Sequence, residues 1–258
     1  MRRLETMLAD IQQRLDLDRP RAEAADQCRA DARALTRRFP LVHRSVKANG
    51  PRLSDILATR RLLAEAPCTP RELDCGIERA VYFFLGCGAF PEGAVAFLAS
   101  AAVLNTSQAT YTPFDTGSLE HHASPREASA PWRGSDKDSF LANHLGFGNE
   151  ALTFSIEYIA AHFKSPPDYV RRQQRSDPDF PTYHGLVSRS GDRRAWSIEI
   201  QLHDDLALDA QHLDAIILGQ PDLLADIPDD LVEKVVISEA EGSITTTIHQ
   251  LIVPEQPT

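Results

Sequence analysis

The clearest secondary-structure pattern in the sequence is that of residues 194–202, which read RAWSIEIQL. Apolar and polar residues alternate strictly along it, and this period of two predicts a β-strand. One face of the predicted strand carries Trp196, Ile198, Ile200 and Leu202, and the other carries Ser197, Glu199 and Gln201. Such a strand is typical of an antiparallel sheet with one buried and one polar face.

Other strands are predicted from β-branched and aromatic content. They are residues 41–46, 80–85, 94–98, 184–189 and 213–218. The strands at 80–85 and 94–98 flank a segment with three glycines and Pro91, so they can form a hairpin. A second hairpin is predicted at the end of the chain, from residues 231–238 and 243–253.

Helices are predicted from apolar residues that recur at spacings of three and four. Residues 3–38 read as a helical hairpin in which Asp18 caps the second helix. Further helices are predicted at about 52–65 and 137–164, and residues 105–138 form the least regular part of the chain. An irregular stretch of that length is usually functional or disordered.

Because helices lead and strands follow, the pattern favours an α+β fold with a largely antiparallel sheet over a doubly wound parallel one. We divide the chain into an N-terminal helical segment, residues 1–38, and an α+β domain, residues 39–258. The first helix can cover the sheet or make a dimer contact, and covering the core is the more frequent role of such a helix.

Charge is distributed unevenly along the 258 residues. The chain has 27 Lys and Arg against 37 Asp and Glu, for a net charge of −10. Residues 201–258 hold 12 of the acidic residues and one basic residue, Lys234. Residues 1–200 are close to neutral. They lack the strong positive charge of a dedicated nucleic-acid binder, and they do not repel a dinucleotide. The acidic C-terminal part is a possible docking surface for a protein partner.

Cysteine usage and hydropathy predict a cytoplasmic protein. The four cysteines form no CxxC pair and have no histidine at zinc-finger spacing, so neither a redox motif nor a metal is expected. Residues 1–18 are charged throughout, unlike a cleaved signal peptide. No stretch approaches the roughly 20 apolar residues of a membrane span, so no membrane association is expected.

Several enzyme classes are excluded by their motifs. The sequence has no GxxxxGK[ST], no GxGxxG that opens a helix, no GxSxG and no HExxH, which argues against P-loop, dinucleotide-fold, α/β-hydrolase and zincin enzymes. His121 and His122 are adjacent, and a hydrolase that binds a metal through them is a minor alternative.

Two groups of residues can carry chemistry together. His43, Arg44 and Ser45 lie on an early strand, while Glu199 and Gln201 share a face of a late one. A carboxylate there can bind a ribose hydroxyl or stabilise an oxocarbenium cation, and a histidine or arginine supplies a donor to phosphate or ribose. The alternative is that Ser197, Glu199 and Gln201 only form the solvent-exposed face of the sheet and have no catalytic role.

The order of these elements resembles that of the ADP-ribosyltransferase-like family. In that family an early strand with His or Arg precedes a short helix, and the matching residues are 41–46 and then 53–62. A strand with an aromatic residue follows, similar to residues 81–86, and a late strand with a catalytic Glu is similar to 196–202. The resemblance covers residues 40–220 and implies a split sheet with NAD in its cleft as a substrate.

The resemblance also implies roles for individual residues. His43 or Arg44, with Ser45, would hold the nicotinamide ribose or the pyrophosphate, and His43 is favoured because Ser45 shares its face. Tyr82 or Phe83 would stack on nicotinamide, Gln201 would orient the second substrate, and Glu199 would stabilise the transition state. The residues that would meet the acceptor are Phe114, Asp115 and Thr116, which also suit an ordinary turn.

One departure from the family pattern concerns the amide partner of the catalytic Glu. The family often places Glu or Gln two residues before it, whereas Ser197 precedes Glu199 and Gln201 follows it. The resemblance predicts an ADP-ribosyltransferase or NAD glycohydrolase, possible roles being a toxin or antiviral defence effector. Its acceptor can be a protein, a nucleic acid or a nucleotide. The alternative is an immunity or antitoxin-type interaction protein that uses its acidic C-terminal part.

Overall fold

The chain folds as a mixed α+β protein with a large, mostly antiparallel sheet. This computed structural model describes residues 4–16, 19–45, 53–66, 70–87, 94–105, 108–117, 137–171, 197–238 and 244–253. Its strands are β1 (Leu41–Ser45), β2 (Arg61–Leu62), β3 (Val81–Leu85), β4 (Val95–Ala99), β5 (Ala109–Thr112), β6 (Gly146–Phe147), β7 (Glu199–Leu202), β8 (Leu206–Ala207), β9 (Leu213–Leu218) and β10 (Val235–Ile237). Its α-helices are α1 (Leu4–Asp16), α2 (Arg19–Thr36), α3 (Leu53–Thr59), α4 (Pro70–Asp74), α5 (Lys137–His144), α6 (Ala151–His162), α7 (Pro166–Val170) and α8 (Ile244–Ile252).

The main sheet has eight strands in the order β10-β9-β4-β1-β3-β7-β5-β6, and β2 pairs with β8 separately. Every pairing is antiparallel except that of β10 with β9. Strand β1 lies between β3 and β4, so the hairpin predicted from these two strands is wrong. Because β1 is antiparallel to both of its neighbours, β3 and β4 run parallel to each other, and a tight hairpin turn joins only antiparallel strands.

Helices α1, α2, α6 and α7 cover one face of the sheet. On that face the hydroxyl of Tyr111 in β5 lies 3.6 Å from the sulfur of Met7 in α1, and its ring lies 5.0 Å from Phe154 in α6. Tyr169 of α7 donates a hydrogen bond of 2.6 Å to the carbonyl of Leu85 in β3. The N-terminal helices and the sheet therefore contribute to one continuous apolar core.

The predicted C-terminal hairpin is also wrong. Val235–Ile237 forms β10 parallel to β9, and Ile244–Ile252 forms helix α8. The buried residues of α8 are Ile244, Thr247, Ile248 and Ile252. These residues are spaced by three and four, so they lie on one face of a helix. The strand was predicted because the segment is rich in isoleucine and threonine, whose β-branched side chains favour strands.

The regions between the strands differ from the prediction in three ways. Residues 105–138 contain a regular element, strand β5, and the helix predicted over 137–164 divides into α5 and α6 around β6. The helix predicted to about residue 65 ends at Thr59, because Arg60 adopts a left-handed φ of 54° that a helix does not continue through. The strand predicted at 184–189 and the residues Trp196, His121 and His122 lie outside the described residues.

Among the helices of the described residues, none is both long and apolar enough to cross a bilayer.

Candidate active site

Glu199 and Gln201 lie on the face of the sheet opposite the covering helices. Antiparallel partners share a face, and the partners of Gln201 are Tyr82 in β3 and Thr110 in β5. Thr112 of β5 is the partner of Glu199. The structure therefore brings Tyr82 onto the same face as both predicted residues of β7, flanked on the other side by two threonines.

Glu199 is 3% exposed and is held by three hydrogen bonds to the same oxygen. The backbone N–H of Thr116 donates to its Oε1 over 3.2 Å, and the Thr116 hydroxyl lies 2.7 Å from that oxygen. The amide Nε2 of Gln201 donates to it over 2.8 Å. Because three donors converge on one oxygen, the carboxyl is fixed in position and orientation.

The environment raises the pKa of Glu199 well above its usual value. Burial is the largest cause, since it disfavours the charged form, and the negative charge of Asp115 adds to it. The hydrogen bonds from Thr116 and Gln201 act in the opposite direction, and the charge of Glu72 raises the pKa further. A carboxyl site of this kind is stabilised when it takes up a proton or a cation.

The amide of Gln201 is oriented by two threonines on β5 and, through one of them, by the residue that follows β7. Thr110 donates its hydroxyl to Gln201 Oε1 over 2.9 Å, and Nε2 of His203 lies 3.1 Å from the same hydroxyl oxygen. Gln201 Nε2 is also 3.2 Å from the hydroxyl of Thr112. With its oxygen bound by Thr110, the amide must point its nitrogen at Glu199. Burial lowers the pKa of His203, while the charge of Asp204 opposes that change.

Glu72 is a site residue that sequence reasoning did not single out. It lies on the short helix α4, is fully buried, and has its Oε1 2.7 Å from the hydroxyl of Thr116. A glutamate in a loop-flanked segment of charged residues ordinarily faces solvent. No spacing or motif in the sequence relates it to Glu199, so only the fold could bring the two together.

The predicted substrate loop folds directly over Glu199. Phe114, Asp115 and Thr116 are all buried. Thr112 donates its hydroxyl to the carbonyl of Phe114 over 2.7 Å, which closes a tight turn, and the Phe114 ring lies 6.2 Å from the ring of His144. The segment is therefore both the turn that its composition suggests and a part of the site wall.

His43 lies on the opposite face of the sheet from Glu199. Its Nδ1 donates to the carbonyl oxygen of Tyr82 over 2.9 Å, and its ring packs edge-on against Phe83 at 5.6 Å. Burial lowers the pKa of His43, and the hydrogen bond to Tyr82 opposes this. Phe83 is fully buried on that same face. The structure thus connects His43 to the site through the backbone of Tyr82.

Arg44 lies on the same face of the sheet as Glu199. It is two residues after Val42 in β1, and Val42 and Glu199 are both paired with Phe84 of β3. Its Nη1 lies 3.4 Å from the hydroxyl of Thr245 in α8. Ser45 ends β1 opposite Val95 of β4.

Within the described parts of the chain, no group of three or more His, Cys, Asp or Glu side chains is arranged to hold a metal ion. Neither a protein-family model nor a curated protein matches the sequence significantly.

Proposed function

We propose that this chain is an NAD-consuming enzyme of the ADP-ribosyltransferase-like type, acting as a transferase or as an NAD glycohydrolase. The observation that carries the proposal is the pairing of Glu199 and Gln201 on one face of β7, with Tyr82 in register on the neighbouring strand. A buried carboxyl beside an aromatic ring suits a ligand whose positive charge lies on an aromatic ring. The oxidised nicotinamide ring of NAD has this property.

The reaction would break the bond between the nicotinamide nitrogen and ribose C1′. Nicotinamide leaves with the bonding electron pair, and positive charge develops on the ribose. The carboxylate of Glu199 would stabilise that charge, since a fixed anion in a water-poor site acts strongly where charge develops. A nucleophilic oxygen or nitrogen of the acceptor, or of water, then bonds to C1′ and releases its proton.

The surrounding residues receive roles from their positions. Tyr82 rather than Phe83 would stack on nicotinamide, because Tyr82 shares the face of Glu199. Arg44 would bind ribose or pyrophosphate from the same face, and His43 would hold the backbone of Tyr82 in place. Asp115 and Thr116 would border the acceptor. Consumption of NAD or modification of a macromolecule in this way is appropriate to a toxin or antiviral defence effector.

The test is to incubate the purified chain with NAD and to follow the release of nicotinamide. We expect turnover that Glu199→Gln lowers by a hundredfold or more, in line with the loss of a transition-state charge partner. The matched control is Glu78→Gln, which makes the same change at an exposed glutamate and should leave turnover unchanged. Equal turnover by the wild-type and Glu199→Gln proteins would reject the proposed role of Glu199.

A second candidate function is that of an interaction protein of the immunity or antitoxin type. It is favoured by exposed carboxylates on two consecutive 3₁₀-helices, Pro221–Asp226 and Asp229–Lys234. A basic protein surface is the complementary partner. This function predicts no release of nicotinamide by the chain alone and a loss of partner binding when Asp222, Asp226 and Glu233 are changed to lysine. Under the enzyme proposal the same triple variant keeps its turnover.

A further inference from the structure

The hydroxyl of Thr116 bridges two buried carboxyl groups. Its Oγ1 lies 2.7 Å from Oε1 of Glu72 and 2.7 Å from Oε1 of Glu199. Both separations are those of good O–H···O hydrogen bonds. A threonine hydroxyl has one proton, however, so it can donate to only one of the two carboxyls. The other hydrogen bond needs a proton that the carboxyl itself supplies.

We propose that Glu72 and Glu199 share one proton across Thr116 in the ligand-free protein, so that Glu72 is a positioning residue for Glu199. Two arrangements satisfy the geometry. In one, Glu72 is protonated and donates to Thr116, which donates to an anionic Glu199. In the other, Glu199 is protonated and donates to Thr116, which donates to an anionic Glu72. Each arrangement has two protons in two hydrogen bonds.

The surroundings favour a shared proton over two charges. Both glutamates are buried, and Asp115, which is also buried, adds negative charge. Two like charges at this separation in a water-poor interior cannot both ionise readily. The other titratable or charged groups with described side chains on this face of the sheet and on the surrounding helices are Arg44 on β1, Arg71 and the exposed Asp74 on α4, Tyr82 on β3, His144 at the end of α5 and His203 after β7. The raised pKa of Glu199 agrees with this picture.

A shared proton lets the fully buried Glu72 influence the hydrogen bonding of Glu199. When the proton lies on Glu72, the Thr116 hydroxyl turns toward Glu199, which is then an anion that accepts three hydrogen bonds on one oxygen. Glu72 thus controls the direction of one of the three bonds that position Glu199. The inference concerns the ligand-free chain and holds whatever ligand the site binds.

The test is a pH titration of ¹³C-labelled glutamate carboxyl groups by NMR, on the ligand-free chain. The carboxyl resonances of Glu72 and Glu199 are assigned in the wild-type protein by through-bond correlation from the backbone to the side chain. In the wild-type protein we expect both resonances to move together, with one step well above the usual Glu range. In Glu72→Gln we expect the proton affinity of Glu199 to fall at least tenfold, which is one pH unit, because a neighbouring negative charge is removed.

The hydroxyl itself is tested with a matched pair of substitutions. Thr116→Val removes the bridge at nearly constant volume, so Glu199 loses a donor to its charged form and its step moves to higher pH. Thr116→Ser restores the hydroxyl and should restore the wild-type titration. A purely structural role for Thr116 would not distinguish serine from valine in this way.

Independent titration of the two resonances within the ordinary Glu range would overturn the inference. So would a Glu199 step that does not move in Glu72→Gln. The wild-type titration decides the matter even if a variant does not fold. Because no NAD is present, failure here is separate from failure of the nicotinamide-release assay, which tests the proposed function alone.

Discussion

Gln201 donates a hydrogen bond from its amide Nε2 to Oε1 of Glu199, 2.8 Å away on the same face of strand β7. The amide partner of this carboxyl thus lies on the C-terminal side, two residues after it. Ser197, at the position two residues before it, is also buried. Since Thr110 binds the amide oxygen, the nitrogen is left to face Glu199.

We expect Gln201→Leu to lower the free energy of unfolding by about 2–4 kcal/mol. Leucine keeps the volume but removes the acceptor of the Thr110 hydroxyl and one of the three donors to Glu199, and the loss of a buried hydrogen-bond partner costs about 1–3 kcal/mol. Urea denaturation measures the change. Gln211→Leu, at an exposed position, is the control and should stay within about 0.5 kcal/mol. Equal stability of the two variants would show that the amide contacts contribute little.

The raised pKa of Glu199 predicts how stability depends on pH. Above the unfolded-state pKa of about 4.3, the folded protein keeps a proton that the unfolded chain releases. The free energy of unfolding therefore falls as the pH rises from that value to the raised pKa, and it loses no more above it. Urea titrations across this range should show a shallower decline in Glu199→Gln than in the wild type. Parallel curves for the two proteins would contradict the raised pKa.

His43 and Arg44 are predicted to differ in what they contribute. His43→Leu removes the hydrogen bond to the Tyr82 carbonyl and should cost about 1–2 kcal/mol of stability while nicotinamide release persists. Arg44→Gln removes a charge from the face of Glu199, and the KM for NAD should rise tenfold or more with little change in stability. The opposite outcome, with turnover lost in a well-folded His43→Leu protein and unchanged in Arg44→Gln, would move the cofactor contact to His43.

Helix α8 supplies a test of the C-terminal fold. Ile248 is fully buried and Leu251 is 40% exposed. We expect Ile248→Ala to destabilise the protein by about 2–4 kcal/mol, because it leaves a cavity in the core, and Leu251→Ala to cost less than about 1 kcal/mol. Guanidinium denaturation of both variants gives the comparison. Similar losses for both would mean that α8 does not bury the face that the structure assigns to it.

Sequence patterns predicted the strands whose alternation or apolar content was strong. Strands β1, β3, β4 and β9 all lie within one residue of the expected bounds. Strand β7 also lies in its predicted segment, but it begins at Glu199, five residues after the predicted start at 194, and residues 194–196 lie outside the described residues. The shared face of Glu199 and Gln201 followed directly from a period of two. Segments whose apolar residues fit both a helical and a strand period were harder to predict. Residues 244–252 were assigned to a strand because they are rich in β-branched residues, although their apolar residues also recur at the helical spacing of three and four.

Long-range contacts could not be predicted in the same way. Glu72 on α4 meets Thr116, which lies four residues after the end of β5, and nothing local to residue 72 indicates that contact. The place of β1 between β3 and β4 likewise depends on pairing between distant segments. Periodicity assigns a side chain to a face, whereas the neighbours on that face depend on strand order.

The place of β7 between β3 and β5 has a consequence for synthesis of the chain. Glu199 follows its partner Thr116 by 83 residues, so the ribosome makes both flanking strands long before the strand that joins them. Until then β3 and β5 have open edges toward the missing strand, which are prone to pair wrongly with other chains. A chain released before residue 199 lacks the carboxyl that Thr116 and Gln201 bind, so this hydrogen-bonded cluster is completed only when most of the chain has been made.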